Sequence, residues 1–252
     1  MAMTALTECR VDIGAAGGVG EVAAVLARDG IALFDGVHTE QQMLHLAVRL
    51  GRLVPHRDST RSGLTVISDR GAVRPRAGQV GFSSHALAAH TDCSDLPRPP
   101  LLVAMTCVRP ADRGGDCVLV DGRAVHAELA ATAPDALADL TTQRGAYFGG
   151  AAGIVGNVFE PGPGGLVGVR LRRDGLARFA PHTQRWLGVL AQVVDRHSIT
   201  VPTAPGSAYV VNNRRWLHGR TAFTGPRTMH RALIDPHPAW RIPAGFTPAV
   251  TP

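Results

Sequence analysis

The sequence contains no lysine, so all 26 of its basic side chains are arginine. The arginines are scattered among 20 acidic residues, and aromatic residues make up only 5% of the chain. A nucleic-acid-binding surface is expected to concentrate basic side chains in one stripe, often with aromatics between them. The net charge of +6 therefore does not predict a nucleic-acid partner.

Long apolar runs are also missing. No stretch reaches the roughly 18 apolar residues of a membrane helix, and the N-terminus lacks the basic-then-apolar order of a signal peptide. The four cysteines, Cys9, Cys93, Cys107 and Cys117, form no CxxC pair. A disulfide framework is not expected, which suits a reducing compartment. We expect a cytoplasmic protein without a membrane partner.

The chain has 252 residues, 45% of them hydrophobic, which is enough for one domain with one substantial core. Apolar residues at helical spacing predict helices over 19–27 and 43–50, with a short strand over 31–34 between them. Thr39 and Gln42 resemble a capping box that begins the second helix. Residues 1–60 are therefore interpreted as a helical flank.

Short apolar runs broken by Gly, Pro and Asp follow and predict an antiparallel sandwich or barrel over 61–236. The predicted strands cover 64–67, 101–108, 117–120, 167–171, 209–211 and 232–234. A helical stripe from Trp186 to Val194 predicts an inserted helix near 182–197. Residues 147–165 are so rich in Gly and Pro that we expect a long mobile loop, with 149–165 able to close over a substrate.

Four His-x-acid triplets offer a histidine and a carboxylate to a metal. On a strand, residues i and i+2 share a face and can chelate together, whereas within a helix they diverge by about 200°. His38/Glu40 begins a predicted helix and His126/Glu128 lies inside one, so both are set aside. His56/Asp58 and His90/Asp92 remain as candidates.

The sequence downstream of His90 and Asp92 favours that pair. An apolar strand, a GGDC turn (residues 114–117) and a distal NNRRWLHGRTAF segment with arginines after it follow in order. This set resembles the Fe(II)/2-oxoglutarate oxygenases of the taurine dioxygenase and clavaminate synthase type over about residues 80–236. The wording around the distal histidine is most similar to bacterial amino-acid β-hydroxylases that act on asparagine or arginine.

The resemblance implies a mainly β fold with flanking helices and a double-stranded β-helix (jelly-roll) core. It implies His90, Asp92 and His218 as a facial triad for Fe(II), a ligand set that leaves positions for the keto acid and for dioxygen. It also implies that Arg227 binds the distal carboxylate of 2-oxoglutarate, as the planar guanidinium fork allows. Arg231, four residues later, matches the position that grips a substrate carboxylate or sulfonate in several relatives.

One residue departs from the family. Relatives often carry Thr or Ser after GGD, where this chain has Cys117, whose thiol is a weak donor. Cys117 is still assigned to the cofactor site, and Ser84 and His85, just before the triad, are assigned to the substrate site. Cys93 is expected to point to the opposite face from Asp92 and to be structural.

The implied function is hydroxylation of a small polar substrate, such as an amino acid or an amino-acid-derived intermediate, in bacterial specialised metabolism such as antibiotic biosynthesis. Succinate and CO₂ are the implied co-products, and Asp92 disfavours halogenation because halogenating relatives lack this ligand. Desaturation and cyclisation stay open, as does a carrier-bound substrate. Two alternatives are a cupin-like dioxygenase or isomerase that does not use 2-oxoglutarate, and an arginine-rich binding protein.

Overall fold

The computed structural model describes residues 6–14, 18–142 and 144–249. Antiparallel sheets with helices packed against them make up this part of the chain, as the sequence predicted. None of its helices has the length and hydropathy needed to span a bilayer.

The helices agree with the predicted ones where apolar periodicity was strong. Thr39 caps the second helix as expected: its side chain accepts a hydrogen bond from the Gln42 backbone N–H, and the Gln42 side chain accepts one from the Thr39 backbone. The α-helices are α1 (Gly18–Asp29), α2 (Glu40–Leu50), α3 (Gly122–Thr132), α4 (Pro134–Thr141), α5 (Pro181–Gln184) and α6 (Leu187–Arg196), with 3₁₀ turns at Val80–Phe82, Pro163–Gly165 and Pro238–Trp240.

The strands are mostly short and are separated by turns. They are β1 (Ile31–Phe34), β2 (Gly51–Leu53), β3 (Thr65–Ser68), β4 (Leu87–His90), β5 (Leu102–Arg109), β6 (Arg113–Gly114), β7 (Cys117–Asp121), β8 (Ala146–Phe148), β9 (Ile154–Gly156), β10 (Phe159–Pro161), β11 (Val167–Val169), β12 (Ala177–Phe179), β13 (Ile199–Val201), β14 (Ala208–Asn212), β15 (Trp216–Arg220), β16 (Phe223–Thr224) and β17 (Thr228–Pro236).

The larger sheet has the order β1-β14-β5-β17-β2, with β3 also paired to β17. Its central strands β5 and β14 are almost wholly buried, and α1 and α2 add their apolar faces to the same core. Core side chains from both layers include Val22, Leu26, Met43, Val103 and Val210. The N-terminal flank is thus more than helical, because β1 and β2 are edge strands of this sheet.

The smaller sheet has the order β13-β7-β15-β4. A second apolar cluster joins it to helices α3, α4 and α6, with Val120 and Leu217 from the strands and Leu129, Leu140 and Val193 from the helices. The helices pack on one face of this sheet and hold β4 and β15 in place. These two strands carry the candidate histidines.

The prediction of a loop over 147–165 was wrong in one respect. This segment carries most of β8 together with β9 and β10, where Gly and Pro suggested no regular structure. Its glycines serve the β8–β9 hairpin: Gly149 has φ 110°, and a Cβ on Gly153 would lie 2.2 Å from the carbonyl oxygen of Phe148. Glycine here permits a tight turn and does not prevent strand pairing.

Candidate metal centre

Two neighbouring strands of the smaller sheet bring the candidate histidines together. His218 on β15 is the direct antiparallel partner of His90, the last residue of β4. Their ring centroids are 4.7 Å apart. Asp92 follows two residues after β4 ends, and its side chain returns to the same point. This one residue pair between β4 and β15 therefore brings together two histidines that are far apart in the sequence.

The three side chains surround a common point without bonding tightly to one another. Nε2 of His90 lies 3.5 Å from Oδ1 of Asp92, and Nε2 of His218 lies 3.8 Å from Oδ2. In the described part of the chain, this is the set of His, Cys, Asp or Glu residues close enough to hold a metal, with ligand atoms within 4.8 Å of one another. Two imidazoles and one carboxylate suit a divalent transition metal and leave coordination positions open.

The second nitrogen of His90 is already oriented. Nδ1 lies 3.0 Å from the carbonyl oxygen of Ala88, so a proton on Nδ1 is donated there and Nε2 keeps its lone pair for a metal. Nδ1 of His218 is buried and has no hydrogen-bond partner. Both residues therefore fit the role of imidazole ligands.

Electrostatics keep these ligands in the states that a metal needs. Burial raises the pKa of Asp92, but the positive charge of Arg231 and the contact with His90 oppose it, and the pKa lies well below its usual value. Burial lowers the pKa of His218 to about 3. A carboxylate and a neutral imidazole are the forms that coordinate metals, so little proton release is required on binding.

Asn213 fixes the backbone of Asp92, and sequence reasoning missed it. Its Oδ1 accepts a hydrogen bond from the Asp92 backbone N–H at 2.8 Å, and its Nδ2 donates to the carbonyl oxygens of Asp92 and Pro100, both at 3.0 Å. Asn213 is fully buried. The available signal was its place in the NNRRWLH segment, five residues before the distal histidine.

A cavity of about 650 Å³ opens onto the triad. Both Arg227 and Arg231 line it, as does Cys117 at the start of β7. Other side chains on its wall, grouped by charge and polarity, are Arg57, Arg172, Arg173 and Arg220, then Asp58, Asp95 and Asp174, and then Met105, Ile67, Phe82 and Tyr209.

Arg227 is buried at this cavity. Its Nε donates to the carbonyl oxygen of Gly115 at 3.0 Å, in the GGDC turn, and its guanidinium lies 5.7 Å from the ring centre of Phe223. The backbone contact orients the guanidinium and leaves its terminal N–H groups as donors at the cavity wall. This placement is compatible with binding a carboxylate, the role that the family resemblance implies for Arg227 and that stays a prediction.

Arg231 lies on the triad itself. Its NH1 donates to Oδ2 of Asp92 at 2.9 Å, and its NH2 lies 3.5 Å from the Thr65 hydroxyl oxygen. Asp92 is buried and Arg231 nearly so, which makes this a strong ion pair in a low-dielectric surrounding. Arg231 thus neutralises the metal-ligand carboxylate, and it also lines the cavity where a substrate would lie.

Ser84 and His85 do not line this cavity. The backbone after the 3₁₀ turn Val80–Phe82 directs the carbonyl oxygens of Ser83 and His85 towards Arg220, while the exposed His85 ring lies 3.1 Å from the carbonyl oxygen of Val73. Substrate contact by Ser84 or His85 stays a prediction that the cavity lining does not support.

Cys93 differs from its expected placement. It lines the cavity, whereas strand alternation predicted the opposite face. The reason is that β4 ends at His90, and Cys93 adopts a left-handed conformation with φ 54°. Burial raises the pKa of the Cys93 thiol to about 12, so this thiol is not a reactive nucleophile.

The competing triplet, His56 and Asp58, lies on the wall of the same cavity. Nδ1 of His56 is 3.4 Å from Oδ2 of Asp58, but no third ligand joins them within the residues that the structure describes. The structure therefore favours His90 and Asp92, as the downstream sequence did.

Sequence comparison decides the family. The family model described as "Taurine catabolism dioxygenase TauD, TfdA family" matches residues 10–233, which is most of the chain. The chain belongs to the TauD/TfdA family. The match includes His90, Asp92, His218, Arg227 and Arg231, so the site described above lies wholly inside the family region.

Solved structures of two oxygenases share the fold of this TauD/TfdA member. Asparagine oxygenase (AsnO) is 16% identical, with a TM-score of 0.68 over 98% of this chain and 94% of that chain. OrfP in complex with Fe, succinate and (3R,4R)-dihydroxy-L-Arg is 15% identical, with a TM-score of 0.67 over 87% and 81%. At these identities the likeness concerns the fold.

Proposed function

We propose that this protein is an Fe(II)/2-oxoglutarate-dependent oxygenase that hydroxylates an amino acid or an amino-acid-derived molecule. One observation carries the proposal: the triad of His90, Asp92 and His218 opens onto the cavity that Arg227 also lines. A cupin-like metal enzyme would need the triad but would give Arg227 no role.

The residues present fit an iron ion and a keto acid. His90, Asp92 and His218 would hold Fe(II), and Arg227 would bind the distal carboxylate of 2-oxoglutarate. When bound, the iron supplies activation of dioxygen, coupled to conversion of 2-oxoglutarate into succinate and CO₂. The protein's share is to hold the ligands, to orient the keto acid and to shield the reacting carbon from water.

Two findings support an amino-acid substrate. Asparagine oxygenase was solved with Fe(II), 2S,3S-3-hydroxyasparagine and succinate, and OrfP with hydroxylated arginines. Among the described residues, none forms an ion pair or a hydrogen bond with the Asp95 carboxylate, which lines the cavity. We propose that Asp95 receives a substrate ammonium group and that Arg231 receives its carboxylate.

Three further parts of the proposal carry forward expectations from the sequence. The two main sheets would form the opposing faces of a double-stranded β-helix, with the triad at one open end. The protein would act in the cytoplasm, in a specialised biosynthetic pathway. Its substrate would be a free amino acid or one attached to a carrier.

A product assay tests the function. The protein is incubated with Fe(II), 2-oxoglutarate, oxygen and each proteinogenic amino acid, and succinate and a product heavier by one oxygen atom are measured together. We expect both with at least one substrate, loss of both in His218→Ala, and retention in His38→Ala, which changes an exposed histidine that does not line the cavity. If no amino acid, free or attached to a carrier, supports the formation of succinate, the proposal is contradicted.

A further inference from the structure

The binding pocket for the distal carboxylate has an unusual composition. Arg227 uses its Nε on the Gly115 carbonyl oxygen, so only its terminal N–H groups face the cavity. A carboxylate has two oxygens with about four lone-pair directions to satisfy. The neighbouring residue Cys117 offers only a weak S–H donor. A second strong donor is therefore needed in this pocket.

Tyr209 stands beside these two residues. It lies on β14 of the larger sheet, opposite Met105 on β5, while Cys117 lies on β7 of the smaller sheet. Tyr209, Cys117, Met105 and Arg227 all line the same cavity, so the two sheets meet here. The Tyr209 hydroxyl, the Cys117 thiol and the Arg227 guanidinium are close enough to influence one another electrostatically.

The phenol is suited to donate. Tyr209 is buried, and burial raises the pKa of its hydroxyl well above the ordinary value, so the group keeps its proton. Within the described residues this hydroxyl forms no hydrogen bond, and the nearby Cys117 sulfur would be a weak acceptor. A carboxylate accepts a much stronger hydrogen bond than a thiol does, so we expect the Tyr209 hydroxyl to direct its proton towards an arriving carboxylate.

We propose that the Tyr209 hydroxyl donates a hydrogen bond to the distal carboxylate of 2-oxoglutarate, together with Arg227. This inference rests on the proposed function, since it presupposes that the keto acid binds here. It assigns to a residue of the larger sheet a contact that the family resemblance assigned to Cys117 of the smaller sheet.

Binding of 2-oxoglutarate to the Fe(II)-loaded protein without oxygen tests the proposal. We expect Tyr209→Phe to raise the Kd by roughly 10- to 100-fold, because a hydrogen bond to a charged group is lost. Thr106→Val is the matched control: it removes another buried hydroxyl of the larger sheet, one that donates to the Val37 carbonyl oxygen and does not line the cavity, and we expect an unchanged Kd. An unchanged Kd in Tyr209→Phe overturns the proposal.

A probe without the distal carboxylate separates recognition from general damage. Pyruvate has the same keto and carboxylate oxygens for the metal but lacks the distal group. We expect its Kd to be equal in wild type and Tyr209→Phe. Equal weakening of pyruvate and 2-oxoglutarate overturns the proposal, because the substitution would then act on the metal end or on folding.

Rescue adds a second variant. Cys117→Thr places a hydroxyl where relatives often have one, and in the Tyr209→Phe background we expect it to recover most of the lost 2-oxoglutarate affinity. Absence of any recovery, with the folded state intact by its Tm, counts against a shared carboxylate pocket.

The tyrosine itself can be observed. The chain has two tyrosines, so protein made with 3-fluorotyrosine gives two ¹⁹F resonances, and Tyr209→Phe identifies that of Tyr209. In Zn(II)-loaded protein we expect 2-oxoglutarate to move this resonance and pyruvate to leave it in place. A resonance unmoved by saturating 2-oxoglutarate overturns the proposal. If wild type binds no 2-oxoglutarate at all, the proposed function fails and this inference fails with it.

Discussion

Asp92 is held from two directions at once. Asn213 bonds its backbone on both the N–H and the carbonyl side, and Arg231 bonds its carboxylate. The backbone contacts set where the carboxylate lies, and the arginine sets its charge. A metal ligand that is fixed in both respects loses little entropy on coordination.

Removing the backbone contact should weaken the metal site. We expect Asn213→Ala to lower metal affinity by roughly 10- to 100-fold, because partners that orient a ligand contribute that much, and to lower the Tm. Asn212→Ala is the control, since the Asn212 side chain donates to the Pro243 carbonyl oxygen instead. Titration calorimetry with a divalent metal compares the three proteins; equal affinities in wild type and Asn213→Ala would contradict the role of Asn213.

Removing the charge should make stability depend on pH differently. The pKa of Asp92 is lowered in the folded state, so the stabilisation by Arg231 is complete above the ordinary aspartate pKa of about 4 and is lost as the pH falls through the folded-state value. We expect metal-free Arg231→Met to be less stable than wild type by about 3 kcal/mol near neutral pH.

The same difference in unfolding free energy should shrink as the pH falls below about 4, because the unfolded chain then takes up a proton on Asp92 while the folded wild type, in which the pKa of Asp92 is lowered, does not. Urea unfolding of both proteins at neutral and acidic pH measures it. A difference that stays constant across this range would show that Arg231 stabilises by packing and not by pairing with Asp92.

At the scale of elements, the site depends on strand pairing and on the hairpin beside the cavity. The β4–β15 register places His90 opposite His218, and a register shift follows directly between His218 and Arg220. Gly149 and Gly150, in the turn after β8, line the cavity. The Tyr147 hydroxyl holds that turn through Gly150 and Gly153.

We predict that segment 149–165 closes over bound substrate, since water must be excluded from an oxidising site. Amide hydrogen exchange of peptides covering 149–156 should slow when metal, 2-oxoglutarate and substrate are all present. Peptides covering 238–245, which lie apart from the cavity, should exchange at the same rate. An unchanged exchange rate in the peptides covering 149–156 would contradict closure of this segment.

Over the whole molecule, the sequence predicted what local patterns encode. The amphipathic helices, the Thr39 capping box and the apolar strands around 102–109 and 208–212 follow from periodicity, whereas the triad was implied by the family resemblance of the HxD and distal HGR segments. His90/Asp92 and His56/Asp58 have the same spacing and both line the cavity. Family resemblance, and not spacing, therefore distinguished the two pairs.

What the sequence could not show are contacts between distant segments. Asn213 is recognisable as important only once the fold places it on Asp92, and Tyr209 only once two sheets bring it to Cys117. Strands β8 to β10 were missed because their glycines, which serve tight turns, were interpreted as a sign of irregular structure.

The central claim is that the triad and Arg227 bind Fe(II) and 2-oxoglutarate together. The most direct test is to add both to the metal-free protein without oxygen and to record the weak visible charge-transfer band between the metal and the keto acid. We predict the band in wild type, its loss in His218→Ala, and a higher 2-oxoglutarate requirement in Arg227→Ala. Metal-loaded wild type that shows no band at saturating 2-oxoglutarate would contradict the account.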